Sequence, residues 1–258
     1  MNYTREEILN IYDRETRAEP RYPPVVTVVH NQYFVKLVGP GNFTFISYWQ
    51  IPPQHTAPAL HDEMQSLKQL GGKVMCRVYQ HDVPKDLENC LANEGFEQLD
   101  TVTLTVLPLL QFELKQDKSP DIQVKELRKA KDVADFLCVT EAAFGQPSPQ
   151  DHAYIEESMK FPNFKYYLAY IKQQPVGAAR FIVPEHSRFG FFFGGCVLPE
   201  FQGQGVYSAL IKTRLQVAKS LNLEFICNEA KESSRPIMEK IGFHSIVKAR
   251  TWYLDMDA

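Results

Sequence analysis

Apolar residues recur at helical spacing at Ile8, Leu9 and Tyr12, behind Thr4 and Glu7 placed as a capping box, and predict a helix over residues 4–12. Residues 24–37 hold two β-branched and aromatic runs on either side of His30, Asn31 and Gln32, and 43–49 adds a third after a Gly-Pro-Gly turn. These runs read as antiparallel strands. Leu60, Met64 and Leu67 return to helical spacing, and 74–79 has strand character. A short helix over 87–94 is ended by Gly95, and 101–107 is a closing strand.

Between 109 and 121 the periodicity is lost and charge, Ser and Pro collect, which marks a connection between two domains. With the boundary near Lys118, the expected domains are 1–117 and 118–258. The second half opens with a strand at 123–127, helices at 131–144 and 151–160, and strands at 166–171 and 176–183 turned at Gln173, Gln174 and Pro175. A strand over 189–197 runs into a glycine-rich loop. Helix 206–220, strand 224–227, helix 235–241 and strand 245–255 complete the chain. Sliding this half back until Gly242-Phe243 lies on Gly95-Phe96 also lays Pro199 on Pro52 without a gap, the pattern of an internal duplication.

The 258 residues are 44% hydrophobic and 23% charged, with 17 Phe and 12 Tyr, a globular composition sufficient for two modest domains or one large one. The longest apolar stretch, 189–199, falls short of the roughly 18 to 20 residues of a membrane-spanning helix. The first ten residues lack the basic, apolar and small-residue succession of a secretory signal, so a cytoplasmic protein without a membrane partner is expected. A net charge of −3 with no block of like charge argues against nucleic acid as a partner. Five cysteines (Cys76, Cys90, Cys138, Cys196 and Cys227) form no CxxC pair and read as free buried thiols, and the seven histidines lack ligand spacing, so no metal is expected.

The segment from Val197 to Tyr207, with Pro199, Gln202, Gly203 and Gly205, stands between an apolar strand and an amphipathic helix. Glycines allow close backbone approach to a ligand, and a helix N-terminus offers unpaired N–H groups with partial positive charge, a combination suited to phosphate oxygens. Gly205 is followed by Val206 and not by Lys with Ser or Thr, so the segment is not a P-loop. Ser208 and Glu224 imitate a dinucleotide fingerprint, but only about 50 residues follow, too few for the βα units such a domain adds after its first turn. His81-Asp82 has no nucleophile elbow with it and reads as a local turn interaction.

This loop resembles that of the Gcn5-related N-acetyltransferases, Gln/Arg-x-x-Gly-x-Gly/Ala after a strand ending in V-x-P, through Gln202, Gly203, Gly205 and Val197-Leu198-Pro199. Tyr207 departs from the pattern at its last position. The hairpin from Tyr167 to Gly177 and the segment from Met238 to Phe243 add to the likeness, which covers about residues 121–255. The resemblance implies an α/β chain with a mixed sheet, two tandem acyl-CoA N-acyltransferase-like domains whose N-terminal copy is degenerate. The degeneracy is legible in the loop at 52–58, where Thr56 and Pro58 stand in place of Gly203 and Gly205 and proline has no N–H to donate.

What the resemblance implies chemically is transfer of an acetyl group from acetyl-CoA, the co-substrate, to a small-molecule or peptide amine, by a monomer or homodimer. The pantetheine arm would bond the backbone of Cys196, Val197 and Leu198. The pyrophosphate would lie on Gly203, Gln204, Gly205, Val206, Tyr207 and Ser208, closed by Gln202. An alkyl amine has a pKa near 10, so a carboxylate base is useful, yet the strand before the loop, Phe191-Phe192-Phe193-Gly194-Gly195-Cys196, carries none. Glu141, Glu156 and Glu229 remain as candidates. The position from which many members protonate the thiolate with tyrosine is Met238, leaving Ser234, Tyr207 and Tyr253 as substitutes. Without a neighbouring cation in sequence, Cys196 and Cys227 read as core residues, and direct transfer is expected. The competing reading is a non-catalytic CoA-binding sensor. A weaker one is a nicotinamide-dependent oxidoreductase.

Overall fold

The computed structural model describes residues 3–40, 43–110, 112–113, 122–145 and 152–257, so the expected boundary near Lys118 and the start of the helix expected at 151 lie outside the described residues. In chain order the first elements are α1 (Arg5–Tyr12), β1 (Thr27–His30), β2 (Phe34–Val38), β3 (Phe43–Trp49), α2 (Thr56–Lys68), β4 (Lys73–Tyr79), α3 (Leu87–Asn93) and β5 (Glu97–Pro108). Then follow β6 (Ile122–Glu126), α4 (Ala130–Phe144), α5 (His152–Ser158), β7 (Phe164–Ile171), β8 (Gln174–Ile182) and β9 (Phe189–Val197). The last are α6 (Val206–Ser220), β10 (Phe225–Lys231), α7 (Arg235–Ile241) and β11 (His244–Asp255). No helix among the described residues is long and apolar enough to cross a membrane.

Two compact units emerge. The first comprises Met1–Val106, Glu185–Ser187 and Glu229–Ala258, and the second Leu107–Pro184 and Arg188–Asn228. In the first, strands follow the order β1-β2-β3-β4-β11-β5, with β11 from the chain's far end antiparallel to both β4 and β5. α1 is set by its box: the Thr4 side chain accepts from Glu7 N–H at 3.2 Å while Glu7 accepts from Thr4 N–H at 2.6 Å. Leu60, Met64 and Leu67 turn one face of α2 onto Ile46, Val74 and Trp252, each large side chain contributing about 1.5–3 kcal/mol by its burial.

β3 and β4 run parallel from Phe43↔Lys73 to Ile46↔Cys76 and pair no further. A π-helical turn, Asp13–Ala18, extends α1 and brings Arg17 to the unpaired end of β3. Its Nε donates to Ser47 O at 3.1 Å, and Ser47 Oγ donates to Arg17 O at 2.8 Å. The guanidinium bonds both oxygens of Asp82 (2.9 and 2.7 Å) and Asp13 (2.7 Å), and lies 4.2 Å over the Tyr79 ring. Burial works against that charge, yet Asp82 and then Asp13 offset it and hold the guanidinium protonated above its ordinary range. Asp82 also accepts from Tyr79 N–H at 2.9 Å, a local turn bond.

The second unit orders its strands β10-β9-β8-β7-β6, antiparallel from β9 to β6 and parallel between β10 and β9. The β7–β8 turn differs from expectation. Lys172 and Gln173 form a two-residue loop with φ of 48° and 68°, and Pro175 pairs with Tyr170 inside the strand. No Asn-Gly pair announced it. Cys138 is exposed on α4, in contrast to the other four thiols, because it falls on the helix's outward side. The two halves repeat element for element from β3 to β5 and from β9 to β11, but α6 has 15 residues where α2 has 13, so the gapless superposition breaks there. Gly95 and Gly242 do match: both take left-handed φ (92° and 118°) behind a helix and precede a buried Phe96 or Phe243.

Arg17→Met would leave the buried Asp82 carboxylate without its guanidinium partner, while Asp13 keeps His81 at 2.6 Å. Urea unfolding near neutral pH is expected to show a loss of about 3–5 kcal/mol, partly recovered when Asp82→Asn is added.

Candidate acyl-donor site

β9 and β10 pair only from Phe189↔Phe225 to Phe191↔Cys227, after which the strands part. Asn228 Nδ2 bridges the opening with a 2.7 Å bond to Phe192 O. On its other side β9 pairs with β8 through an irregularity: Cys196 faces Ala178 and Phe193 faces Arg180, so Gly194-Gly195 carries one residue more than β8 opposite. Gly194 takes φ +53°, and a Cβ there would meet Arg180 Nη2 at 2.8 Å. At Gly195 a Cβ would lie 3.0 Å from Cε2 of Tyr207, so the glycine admits the tyrosine ring.

Past β9 the chain makes a 3-10 turn, Pro199–Phe201, and enters α6 through Gly203 (φ +74°) and Gly205 (φ +87°), the latter its N-cap. A Cβ on Gly203 would have no heavy atom within 4 Å, so this glycine serves the backbone's left-handed turn and leaves open space above it. Gln202 Nε2 reaches back to Val197 O at 3.4 Å and Gln204 Nε2 to Glu200 O at 3.0 Å, folding both side chains against the loop. Leu198 N–H is committed to Val176 O at 2.9 Å. The helical ladder starts with Ala209 N–H on Gly205 O, and the first turn of α6 contains no acid. Val206, Tyr207 and Ser208 thus present first-turn N–H groups at the positive end of a 15-residue helix, a site that fits a diphosphate.

The expected catalytic side chains are distributed over both units. Glu229 belongs to the first, where its carboxylate accepts from Tyr79 O–H at 2.5 Å and pairs with Arg77 at 2.9 Å. Burial opposes the Arg77 charge, but Glu229 beside it holds that guanidinium protonated above its ordinary range. Ser234 is in the same unit and donates to Lys231 O at 3.2 Å, while Tyr253 donates to Asp255 at 3.2 Å. Glu141 and Glu156 belong to the second unit: Glu141 is exposed on the last turn of α4, and Glu156 lies 3.4 Å from His152 on α5. Met238 is fully buried. Burial pushes the Cys196 thiol up to about 11, which keeps it protonated near neutrality.

Arg214 escaped the sequence reading, because a single basic residue on an amphipathic helix looks like a solvated one. It is instead 1% exposed, with Nε on Leu210 O and Nη1 on Arg180 O, both at 3.1 Å, and the Phe192 ring 4.1 Å away. The Gly194-Gly195 irregularity had a legible signal, two glycines inside an aromatic strand.

Residues 132–243 match the model of the acetyltransferase (GNAT) family. No curated protein matches the chain. Among solved structures, the chain is similar to a GCN5-related N-acetyltransferase from Kribbella flavida, with a TM-score of 0.67, 11% identity, and coverage of 96% of this chain and 93% of that one. A GCN5-related N-acetyltransferase from Sphaerobacter thermophilus gives 0.59 at 14% identity, covering 97% and 85%. A tandem GNAT protein from the clavulanic acid biosynthesis pathway gives 0.57 at 10% identity, covering 92% and 85%. At these identities the likeness is one of fold.

Gly194→Val would place a β-branched residue at φ +53° and press on Arg180. A loss of about 1–3 kcal/mol in urea unfolding is expected, and a change below about 0.5 would mean that the strand relaxes around it.

Proposed function

We propose that this chain, whose residues 132–243 belong to the acetyltransferase (GNAT) family, transfers the acetyl group of acetyl-CoA directly to a primary amine. The observation that carries this reading is the open Gly203–Gly205 loop at the acid-free N-terminus of α6, next to the end of β9 that β10 has left. Backbone N–H groups from Gly203 to Ser208 hold the diphosphate, with Gln202 and Gln204 folded back to leave the approach clear. The edge of β9 at Cys196 and Val197 aligns the pantetheine amides, and acetyl-CoA brings the activated thioester.

The N-terminal half, which we read as a degenerate copy over 1–117 with an acetyl-CoA domain over 118–258, shares the parting of its parallel strands, β3 from β4, but has no glycine loop before α2. Thr56 Oγ1 donates to Pro53 O and faces Asp86 at 3.3 Å, so a carboxylate stands near the N-terminus of α2, where a diphosphate would meet repulsion. Arg17 occupies the unpaired end of β3.

Glu229 is ion-paired, Ser234 donates to a carbonyl and Glu141 is on an exposed helix end, so we assign the acceptor as entering in its neutral form and not as deprotonated by any of the three. Turnover should then rise with pH toward the amine's own pKa near 10, while a bound base of pKa below 7 would level it at neutrality. The protonated Cys196 argues for direct transfer: after incubation with acetyl-CoA the intact mass of the chain is expected to stay unchanged, whereas a covalent acetyl adduct would overturn direct transfer. The second reading, a CoA-binding sensor, is favoured by buried Met238 at the tyrosine position.

Calorimetric titration with acetyl-CoA tests the site. Wild type should bind at micromolar affinity, and Gly205→Pro, which cannot take φ +87° and loses a donor, should bind at least tenfold more weakly while thermal unfolding shows it folded. Absence of binding by wild type would reject both readings.

A further inference from the structure

With Met238 unable to donate a proton, the question left by the proposed transfer is what receives the charge on the departing sulfur. Tyr207 and Arg214 are seven residues, about two turns, apart on α6 and share one face of it. Both converge on Gly195. A Cβ there would lie 3.0 Å from the Tyr207 ring, 3.6 Å from its hydroxyl and 3.5 Å from Arg214 Nη2. This backbone position is where β9 has left β10 and bulges against β8.

The Arg214 guanidinium is a buried cation whose bonded partners are neutral: the carbonyls of Leu210 and Arg180, and the Phe192 ring. Among the described residues no carboxylate pairs with it. Burial draws its pKa down to about 10, which leaves it charged at neutral pH. A buried, uncompensated charge is costly in the free protein and becomes favourable when an anion forms beside it. The other titratable groups facing it are also neutral: Tyr167 from β7, whose buried hydroxyl has no partner among the described residues, and Cys196 from β9. Burial raises the Tyr207 phenol, Arg214 opposes that rise, and the phenol stays protonated near neutrality, as an acid must.

We propose that Tyr207 is the acid that protonates the CoA thiolate, and that Arg214 is a positioning residue whose charge supports it. This assignment rests on the acyl-transfer reading above. As the amine nitrogen bonds to the acyl carbon, the carbon–sulfur bond breaks and its electron pair stays on sulfur. The Tyr207 O–H gives its proton to that sulfur, and the phenolate, stabilised by Arg214, regains a proton from water. Water also takes the proton lost by the nitrogen, so thioester and amine become amide and free thiol. Tyrosine at the last position of the loop pattern, together with glycine at 195 to admit it, thereby takes over the role that Met238 cannot fill.

The test needs no acceptor. CoA is bound to the full chain and its thiol titrated by thiolate ultraviolet absorbance, with the desulfo-CoA complex as the baseline. In wild type the bound thiol should titrate about one unit below the free thiol's ordinary 8.5, roughly a tenfold shift in ionisation. Tyr207→Phe and Arg214→Met should each remove most of that shift and Arg214→Lys should retain it, with desulfo-CoA binding in all three within about twofold of wild type. A wild-type thiol with its ordinary pKa, or a shift that survives Tyr207→Phe, overturns the assignment while leaving the donor site standing. Should Arg214→Met fail to fold, Tyr207→Phe, which keeps the ring, decides alone. If neither CoA nor desulfo-CoA binds wild type, the donor site itself is wrong.

Discussion

The structure turns on the point where β9 stops pairing with β10. A parallel ladder bonds its strands all along, and ending it after Phe191↔Cys227 leaves backbone N–H and C=O groups on both sides in need of partners. Asn228 meets one of them by donating to Phe192 O, and the bulge at Gly194-Gly195 turns β9 away. What stays available is an extended edge that leads straight to Gly203, Gly205 and the positive end of α6. The proposed donor site rests on this succession of strand edge, left-handed glycines and helix N-terminus within one stretch of chain.

The first unit contains the same kind of break and disposes of it differently. After Ile46↔Cys76 the freed carbonyl of Ser47 is bonded by Arg17, which is itself fixed by Asp82, Asp13 and the Tyr79 ring. The cation there is fully matched by anions of the chain. In the second unit Arg214 has carbonyls and an aromatic ring but no carboxylate among the described residues. Removing a partner from the first would strand a buried charge, whereas the second already has only neutral neighbours among the described residues.

Amplitude and placement of the glycines follow the same logic. Gly203 has open space where a side chain would stand, Gly195 is filled by Tyr207, and Gly194 adopts a left-handed φ against Arg180. Three residues of one type within ten positions thus serve three ends: a left-handed turn under open space, accommodation of a neighbouring ring, and a left-handed turn of the strand.

Much of this was legible in the chain. The capping box at Thr4 and Glu7, the apolar face of α2, the strand that runs into Gln202-Gly203-Gln204-Gly205, and the helix it caps are all local: each depends on residues within one or two turns of each other, where periodicity and φ preferences decide. The absence of an acid from the first turn of that helix is equally plain in the sequence, whereas the match of Thr56 and Pro58 to Gly203 and Gly205 is lost in the structure: both lie inside α2, and the N-cap there, the place Gly205 has on α6, is His55. Tertiary structure alone decided the rest. That β11 lies between β4 and β5 depends on pairing across more than a hundred residues, for which no local signal exists. Whether Glu229 is free or paired depends on Arg77 and Tyr79, and whether Arg214 is solvated or buried depends on which face of α6 meets β8 and β9. Residue type fixes what a side chain can do, but its charge acquires a value only from the dielectric and the partners around it, and these are set by segments far apart in the chain.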